Sequence, residues 1–262
     1  MTEEIGKIEK LIVDSLKSLG TLYKGKPDMT KPYFSGFAGN EGDPLRIVVP
    51  MSYKKSGKDS APTNLRISEQ EARFAFISIL ERTHETHDFF YSVEAPTEQK
   101  YKFSGKDING NEIDKDEPII SDAGRSARVD VCLYSNTEVP KKYYIEFKCR
   151  TVKQPPITKD FLKLLQDNNN ECNFFVHIIE NHDDNTIKTI RERYFGDEAG
   201  YEGALQRIKA PYQAKRVKIF LYCLNYEMLW TAEIDQNGTI VQELKETPIF
   251  IVRTNREAYW TE

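Results

Sequence analysis

The sequence predicts one α/β domain, a mixed β-sheet flanked by helices, with an N-terminal helical extension. Its 262 residues suffice for one large domain, and an aromatic content of 11% is typical of a packed core rather than of a disordered chain. Apolar residues with the period of a helix alternate along the chain with short apolar runs typical of strands. Residues 1–66 are expected to form the extension, and residues 67–262 to form the core with its C-terminal strands.

The extension begins with an amphipathic helix predicted over residues 3–19. Its apolar positions recur at three- and four-residue steps, Thr2 suits the helix start and Gly20 suits its end. A loop rich in glycine, proline and asparagine over 20–44, a short strand over 45–51 and a polar loop over 54–64 are expected to follow.

The core is expected to begin with a helix capped by Ser68, because Glu71 stands three residues later at the spacing of a capping box. Pro155 and Pro156 are expected to break the chain before a helix that Thr158 caps. Helices are predicted at 68–82 and at 158–168, and two helical segments broken at 196–200 are predicted within 185–206. Strands are predicted at 89–94, 101–103, 127–134, 142–149, 173–180, 216–225, 228–235, 239–244 and 249–253, with a hairpin turn at 236–238. About five or six of them should form the sheet.

Composition and charge narrow the class of protein. The net charge of −4, from 37 basic and 41 acidic residues, excludes binding of nucleic acid by a uniformly basic surface but not by a local basic groove. No apolar run approaches the ~18 residues of a membrane span, and the acidic N-terminus lacks the basic start of a secretory signal. We therefore expect a cytoplasmic protein without membrane contact. The four cysteines lack zinc-knuckle spacing and are expected to be free thiols.

Two consecutive strands carry charged residues inside apolar runs. Asp130 stands between two valines, and Glu146 and Lys148 lie two positions apart in the next strand. Because side chains alternate along a strand, Glu146 and Lys148 share one face. Two such charges in an apolar strand are costly unless they are paired or bound to a ligand. A solvated pair on an edge strand is the alternative interpretation.

This combination resembles the PD-(D/E)XK nuclease superfamily, over roughly residues 66–180, with Asp130 followed by Glu146-Phe147-Lys148. The resemblance implies a restriction-endonuclease-like sheet in which Asp130, Glu146 and the Phe147 carbonyl bind Mg²⁺ or Mn²⁺, while Lys148 orients or activates the attacking water. It also implies a carboxylate on the preceding helix, acting through water. We assign that role to Glu71, with Glu69 as the competitor. The proline often found before the aspartate is absent, since Val129 stands there.

The segment from Lys141 to Lys163 is strongly basic. It contains seven basic residues against two acidic ones, Glu146 and Asp160, in a chain that is acidic overall. Since phosphate contacts supply most sequence-independent affinity for nucleic acid, these side chains are expected to form a rim beside the metal. The rim residues are Arg150, Lys153, Lys159 and Lys163. A merely solvated face is the alternative interpretation.

The sequence therefore predicts a Mg²⁺-dependent nuclease, and DNA is the favoured substrate. Two phosphate-facing carboxylates around a hard cation and a neighbouring ammonium are the groups that phosphodiester hydrolysis needs. Two alternatives stay open. One is a catalytically inactive nuclease-like fold that binds nucleic acid or protein. The other is an unrelated α/β protein. A homodimer or a partner protein chain is compatible with the nuclease and with both alternatives.

Overall fold

The computed structural model describes residues 3–24, 51–53, 62–65, 67–82, 88–107, 109–113, 118–150, 153–167, 171–208 and 212–247. The helices are α1 (Glu3–Lys24), α2 (Glu69–Arg82), α3 (Gln154–Gln166) and α4 (Asp184–Phe195). The strands are β1 (Met51–Tyr53), β2 (Pro62–Leu65), β3 (Phe89–Lys102), β4 (Ile119–Ile120), β5 (Arg125–Ser135), β6 (Lys142–Cys149), β7 (Asn173–Ile179), β8 (Arg216–Cys223), β9 (Met228–Asp235) and β10 (Ile240–Thr247). None of these helices is both long enough and apolar enough to cross a membrane.

The main sheet has eight strands in the order β10-β9-β8-β7-β6-β5-β3-β4, and β1 pairs with β2 in a separate sheet. Strands β6, β7 and β8 run parallel to one another, whereas the other neighbours are antiparallel. The mixed sheet flanked by helices confirms the predicted class. It is wider than expected, because the C-terminal hairpin β9–β10 continues the same sheet.

The two faces of the sheet carry two separate apolar cores. On one face α1 and α2 pack against the odd-numbered positions of β6, with Ile8, Phe76 and Phe147 buried together. On the other face α3 and α4 pack against the even-numbered positions, with Phe161 and Tyr194 among the buried residues. Helix α1 thus belongs to one of the two helical layers that cover the sheet. Residues 25–50 of the predicted extension lie outside the described ranges.

Five local expectations are wrong. Helix α1 continues past Gly20 to Lys24, and residues 62–64 of the predicted polar loop belong to strand β2. Helix α3 begins at Gln154, ahead of Thr158, with both prolines in its first turn, because proline lacks only an N–H that has no helical acceptor there. Strand β3 is continuous where two strands were expected. Beyond Gly196 the chain forms turns rather than a second helical segment.

Other local expectations are confirmed. The turn at 236–238 joins the antiparallel strands β9 and β10, and Gly238 takes a φ of 73° there. All four cysteines are free. The predicted strands over 45–50 and 249–253 lie outside the described residues.

Candidate active site

Strand β6 places Glu146 and Lys148 in the interior of the sheet. It lies between β5 and β7, and both side chains project toward α3 because they occupy even positions. Phe147 projects the other way, with its ring centroid 6.0 Å from that of Phe76. Glu146 is only 1% exposed. The alternative of a solvated Glu-x-Lys pair on an edge strand is therefore wrong.

The buried carboxylate and ammonium belong to a chain of alternating charges that α3 completes. Lys163 Nζ lies 2.5 Å from Glu146 Oε1 and 2.9 Å from Asp160 Oδ1. Lys148 Nζ lies 2.8 Å from Asp160 Oδ2 and 3.3 Å from Glu69 Oε1. The order Glu146, Lys163, Asp160, Lys148, Glu69 is called the charge chain below. It satisfies each buried charge with an opposite one, which a charge away from water requires.

The two buried carboxylates of the charge chain differ in their electrostatic surroundings. Burial raises the pKa of Glu146 well above its ordinary value, and the carboxylates of Asp160 and Asp130 add to the rise beyond what Lys163 offsets. Burial also acts to raise the pKa of Asp160, but Lys163 and Lys148 outweigh it, so the pKa of Asp160 is lowered. Asp160 is therefore ionised, whereas an additional positive charge nearby would stabilise the ionised form of Glu146.

Both lysines of the charge chain hold their protons tightly. Burial acts to lower the pKa of Lys148, but Asp160, Glu69 and Glu146 raise it overall. The same balance raises the pKa of Lys163, through Asp160 and Glu146. An ammonium of this kind can stabilise negative charge and donate hydrogen bonds, but it cannot accept a proton from water.

Asp130 lies on β5 at the point where β5 stops pairing with β6. The ladder between them ends at Val131 and Ile145, and Asp130 Oδ2 accepts the Phe147 N–H at 2.8 Å instead. Its other oxygen lies 3.5 Å from Arg73 on α2. The structure thus brings Asp130 and Glu146 to adjacent strands, where they interact electrostatically.

The helix carboxylates Glu71 and Glu69 have different roles. The Glu71 carboxylate accepts the backbone N–H of Ser68 at 2.7 Å and also contacts the Ser68 hydroxyl. It therefore closes the predicted capping box and faces the helix end rather than Asp130 and Glu146. Glu69 is the residue that reaches Lys148. Glu69, the alternative to Glu71 in the sequence prediction, is therefore the helix carboxylate that contacts the site.

A divalent cation fits part of the predicted donor set. Among the described residues, no three acidic, histidine or cysteine side chains cluster closely enough to hold a metal ion by themselves. Asp130 and Glu146 supply two carboxylates, and the Phe147 N–H donates to Asp130. Because the N–H and C=O of one strand residue lie on the same side of the strand, the Phe147 carbonyl is expected on that side too. Mg²⁺ typically takes one or two carboxylates and leaves its other positions to water and phosphate. The fit therefore involves Asp130, Glu146 and Phe147, without Glu71.

A groove of about 580 Å³ opens beside the charge chain. It is lined by Lys148, Asp160 and Lys163 and, farther out, by Phe103, Arg125, Ser126, Ala127, Arg128, Pro156 and Lys159. Lys159 Nζ lies 5.9 Å from the centre of the Phe103 ring, within the range of a cation–π contact. Five basic side chains against one carboxylate make this groove the most basic concavity at the site.

The predicted rim residues do not all lie in this groove. Lys159 lines it from the outside, whereas the Lys163 ammonium lies inside the charge chain, with its side chain only 12% exposed. Arg150 lies at the end of β6 with a φ of 72° and lines a smaller pocket of about 280 Å³ with Glu69 and Arg73. Lys153 is exposed immediately before α3.

Sequence reasoning overlooked Asp160 and Arg73 as members of the site. Asp160 lies on the apolar stripe of α3, three residues after Ile157 and four before Leu164. An acidic residue on a helix face that should be buried was the sequence signal that could have identified it. Arg73 is 93% buried on α2 and contacts both Asp130 and Glu94. No sequence signal distinguishes it from a surface arginine, because its contacts come from β3 and β5.

Comparison of the chain with models of known protein families, with curated proteins and with solved structures gives no match.

Proposed function

We propose that this chain is a metal-dependent nuclease that hydrolyses phosphodiester bonds in nucleic acid, with DNA as the favoured substrate, on a restriction-endonuclease-like fold. The observation that carries the proposal is the buried charge chain at the mouth of a basic groove. Replacing buried ion pairs with apolar residues is often neutral or stabilising, so such a cluster is weakly explained by stability alone. Perturbed titratable groups beside a cleft favour a functional site.

Asp130, Glu146 and the Phe147 carbonyl are the groups that would hold Mg²⁺ or Mn²⁺. The bound cation would supply Lewis acidity toward the phosphate and make a nearby water easier to deprotonate. Lys148, held at 2.8 Å by Asp160, directs a fixed positive charge at the same face as Glu146. Since its pKa is raised, it acts by stabilising developing negative charge rather than by removing a proton.

The groove residues account for binding of the substrate backbone. Arg125 and Arg128 enter from the start of β5, and Lys159 enters from α3. These basic side chains line the same groove as Lys148 and Lys163. Contacts of this kind position a phosphate backbone without reading its sequence.

A second candidate function is binding of nucleic acid without cleavage. The observation that favours it is that Glu146 already has a cationic partner in Lys163, and Asp130 has one in Arg73. Under this hypothesis the charge chain is a structural element and the groove alone is functional.

A cleavage assay separates the two candidates. Plasmid and labelled oligonucleotides would be incubated with wild type, Asp130→Asn and Glu146→Gln in Mg²⁺ and in EDTA. The matched control is Glu243→Gln, an exposed carboxylate on the edge strand β10. We expect Mg²⁺-dependent cleavage that falls ~10²-fold or more in the two site variants and is unchanged in the control. Wild-type binding without any cleavage over the panel would support the second candidate instead.

A further inference from the structure

The Lys163 ammonium is surrounded by oxygen atoms of the kind that bind cations in proteins. Three oxygens contact it: Glu146 Oε1 at 2.5 Å, Asp160 Oδ1 at 2.9 Å and the Arg128 carbonyl at 2.9 Å. They come from β6, α3 and β5, so the contacts join three elements. Carboxylate and carbonyl oxygens are also the ligands that hard divalent cations prefer.

Because the two carboxylates are buried, their negative charges need a cation beside them. Glu146 and Asp160 are 1% and 5% exposed. Glu146 Oε1 contacts the Lys163 ammonium, and Asp160 Oδ2 contacts the Lys148 ammonium. Lys163 thus balances the charge at Glu146.

The charge chain and its two neighbours Asp130 and Arg73 also carry one more negative charge than positive charges. Glu146, Asp160, Glu69 and Asp130 are acidic, and Lys163, Lys148 and Arg73 are basic. Four negative charges against three positive ones leave a net charge of −1 when all are ionised. A divalent cation bound to Glu146 would lie beside the Lys163 ammonium in the same buried space, where the two positive charges repel each other.

We propose that Lys163 is a tethered counter-cation, which neutralises Glu146 in the metal-free protein and competes with a divalent cation for that carboxylate. The inference rests on the proposed function for its choice of metal. It assigns Lys163 to control of metal binding, in place of the phosphate contact that its sequence position indicates. Arg128 and Asp160 hold the ammonium in place until a cation displaces it.

Calorimetric titration with MnCl₂ tests the competition, using the full chain as wild type, Lys163→Met and Lys188→Met. Methionine keeps the unbranched shape and the helix propensity of lysine but removes its charge. Lys188 is an exposed lysine on α4 whose side chain is 73% exposed, and serves as the control. We expect Lys163→Met to bind Mn²⁺ at least ~10-fold more tightly than wild type, and Lys188→Met to match wild type. Adding Glu146→Gln to Lys163→Met should abolish the gain.

Thermal unfolding gives a second readout. Lys163→Met should unfold at a lower temperature than wild type in EDTA, and Mn²⁺ should raise its unfolding temperature more than it raises that of wild type. Equal or weaker Mn²⁺ binding by folded Lys163→Met would overturn the proposal.

If Lys163→Met does not fold, the wild-type protein still decides the question. The side-chain NMR signals of Lys163, assigned through Lys163→Arg, should shift on saturation with Mg²⁺ as the ammonium leaves Glu146. An unchanged signal at saturation would overturn the proposal.

The results also separate this inference from the nuclease proposal. Unchanged Mn²⁺ affinity in Lys163→Met, together with DNA cleavage by wild type, would refute the competition and leave the nuclease intact. A gain in affinity without cleavage by any chain would support the competition and refute the nuclease. If neither chain binds Mn²⁺, both proposals are wrong.

Discussion

Asp160 connects the two lysines of the charge chain, since each of its oxygens contacts one ammonium. Its side chain is nearly inaccessible to water, so its charge is compensated only by Lys148 and Lys163. A buried charge that loses its partner is costly because neither water nor protein then solvates it. The position of Lys148 in front of the proposed metal therefore depends on a residue of a different element.

Replacing Asp160 with Asn should destabilise the protein strongly. The change leaves two buried ammoniums with one fewer negative partner, and we expect a loss of about 3–5 kcal/mol in the free energy of unfolding. Urea unfolding of Asp160→Asn, Lys148→Met and the double variant forms a double-mutant cycle. The double variant should lose less than the sum of the two single losses, because the pair is already broken. Strict additivity would show that the 2.8 Å contact contributes no coupling.

Under the proposed function, replacing Lys148 with Met should reduce cleavage ~10²-fold or more, because it removes the fixed positive charge that would stabilise the reacting phosphate. Mn²⁺ binding should persist, since the metal carboxylates remain. Lys148→Arg should rescue poorly, because a planar guanidinium does not fit the place of an ammonium. Lys142→Met is the control, as Lys142 lies on the same strand in a surface pair with Glu98. Cleavage by Lys148→Met at the wild-type rate would show that Lys148 is only structural.

At the scale of elements, α2 presents two carboxylates with different roles. Glu71 closes the first turn by accepting the Ser68 N–H, and Glu69 extends to Lys148. Both residues precede the same apolar stripe, so helical periodicity alone does not separate them. The capping box does separate them, because its three-residue spacing commits Glu71 to the helix end.

Matched substitutions in α2 should separate stability from catalysis. Glu71→Ala should lower the free energy of unfolding by about 0.5–2 kcal/mol through loss of the cap, with little change in the cleavage rate of the folded protein. Glu69→Ala should lower the cleavage rate and have a smaller effect on stability, since its side chain is 41% exposed. The opposite pattern would return Glu71 to the metal site. Urea unfolding and a single-turnover assay measure the two effects.

The sequence predicted those elements that are determined by residues close to one another in the chain. Strands β5 and β6 and the capping box are set by neighbouring residues, and all three were predicted. The start of α3 was not, because the two prolines were interpreted as breakers although they fit the first turn of a helix. The partners of Lys148 and Asp130 were missed for a different reason. Asp160 and Arg73 reach them only after α2 and α3 pack on opposite faces of the sheet.

At the scale of the whole molecule, His177 connects the end of β6, the strand that carries Lys148, to helix α4. It is the register partner of Lys148 on β7 and is fully buried. Its Nε2 lies 2.5 Å from the carbonyl of Arg150, and its Nδ1 lies 2.5 Å from the Tyr194 hydroxyl. Since a carbonyl only accepts, Nε2 carries the proton and Nδ1 accepts from the tyrosine. The neutral ring is thus the form that satisfies both partners.

The buried neutral His177 makes the stability of the fold sensitive to acid. Burial lowers the pKa of His177 to about 4, and the positive charges of Lys148 and Arg193 act in the same direction. In the unfolded chain the ring has its ordinary pKa of about 6.5. Between these values the unfolded chain takes up a proton that the folded protein does not. The free energy of unfolding therefore falls as pH is lowered from about 6.5 to about 4, by about 3 kcal/mol at the lower limit.

Urea unfolding of wild type and His177→Gln between pH 7 and pH 4 (about 0.5-unit steps) measures this contribution. The wild-type protein should lose stability with acid more steeply than the variant, because glutamine does not titrate. Glu146, whose raised pKa acts in the opposite sense, is present in both proteins and cancels in the comparison. Equal slopes for wild type and His177→Gln would mean that the ring is protonated in the folded state, and the assignment of its two hydrogen bonds would be wrong.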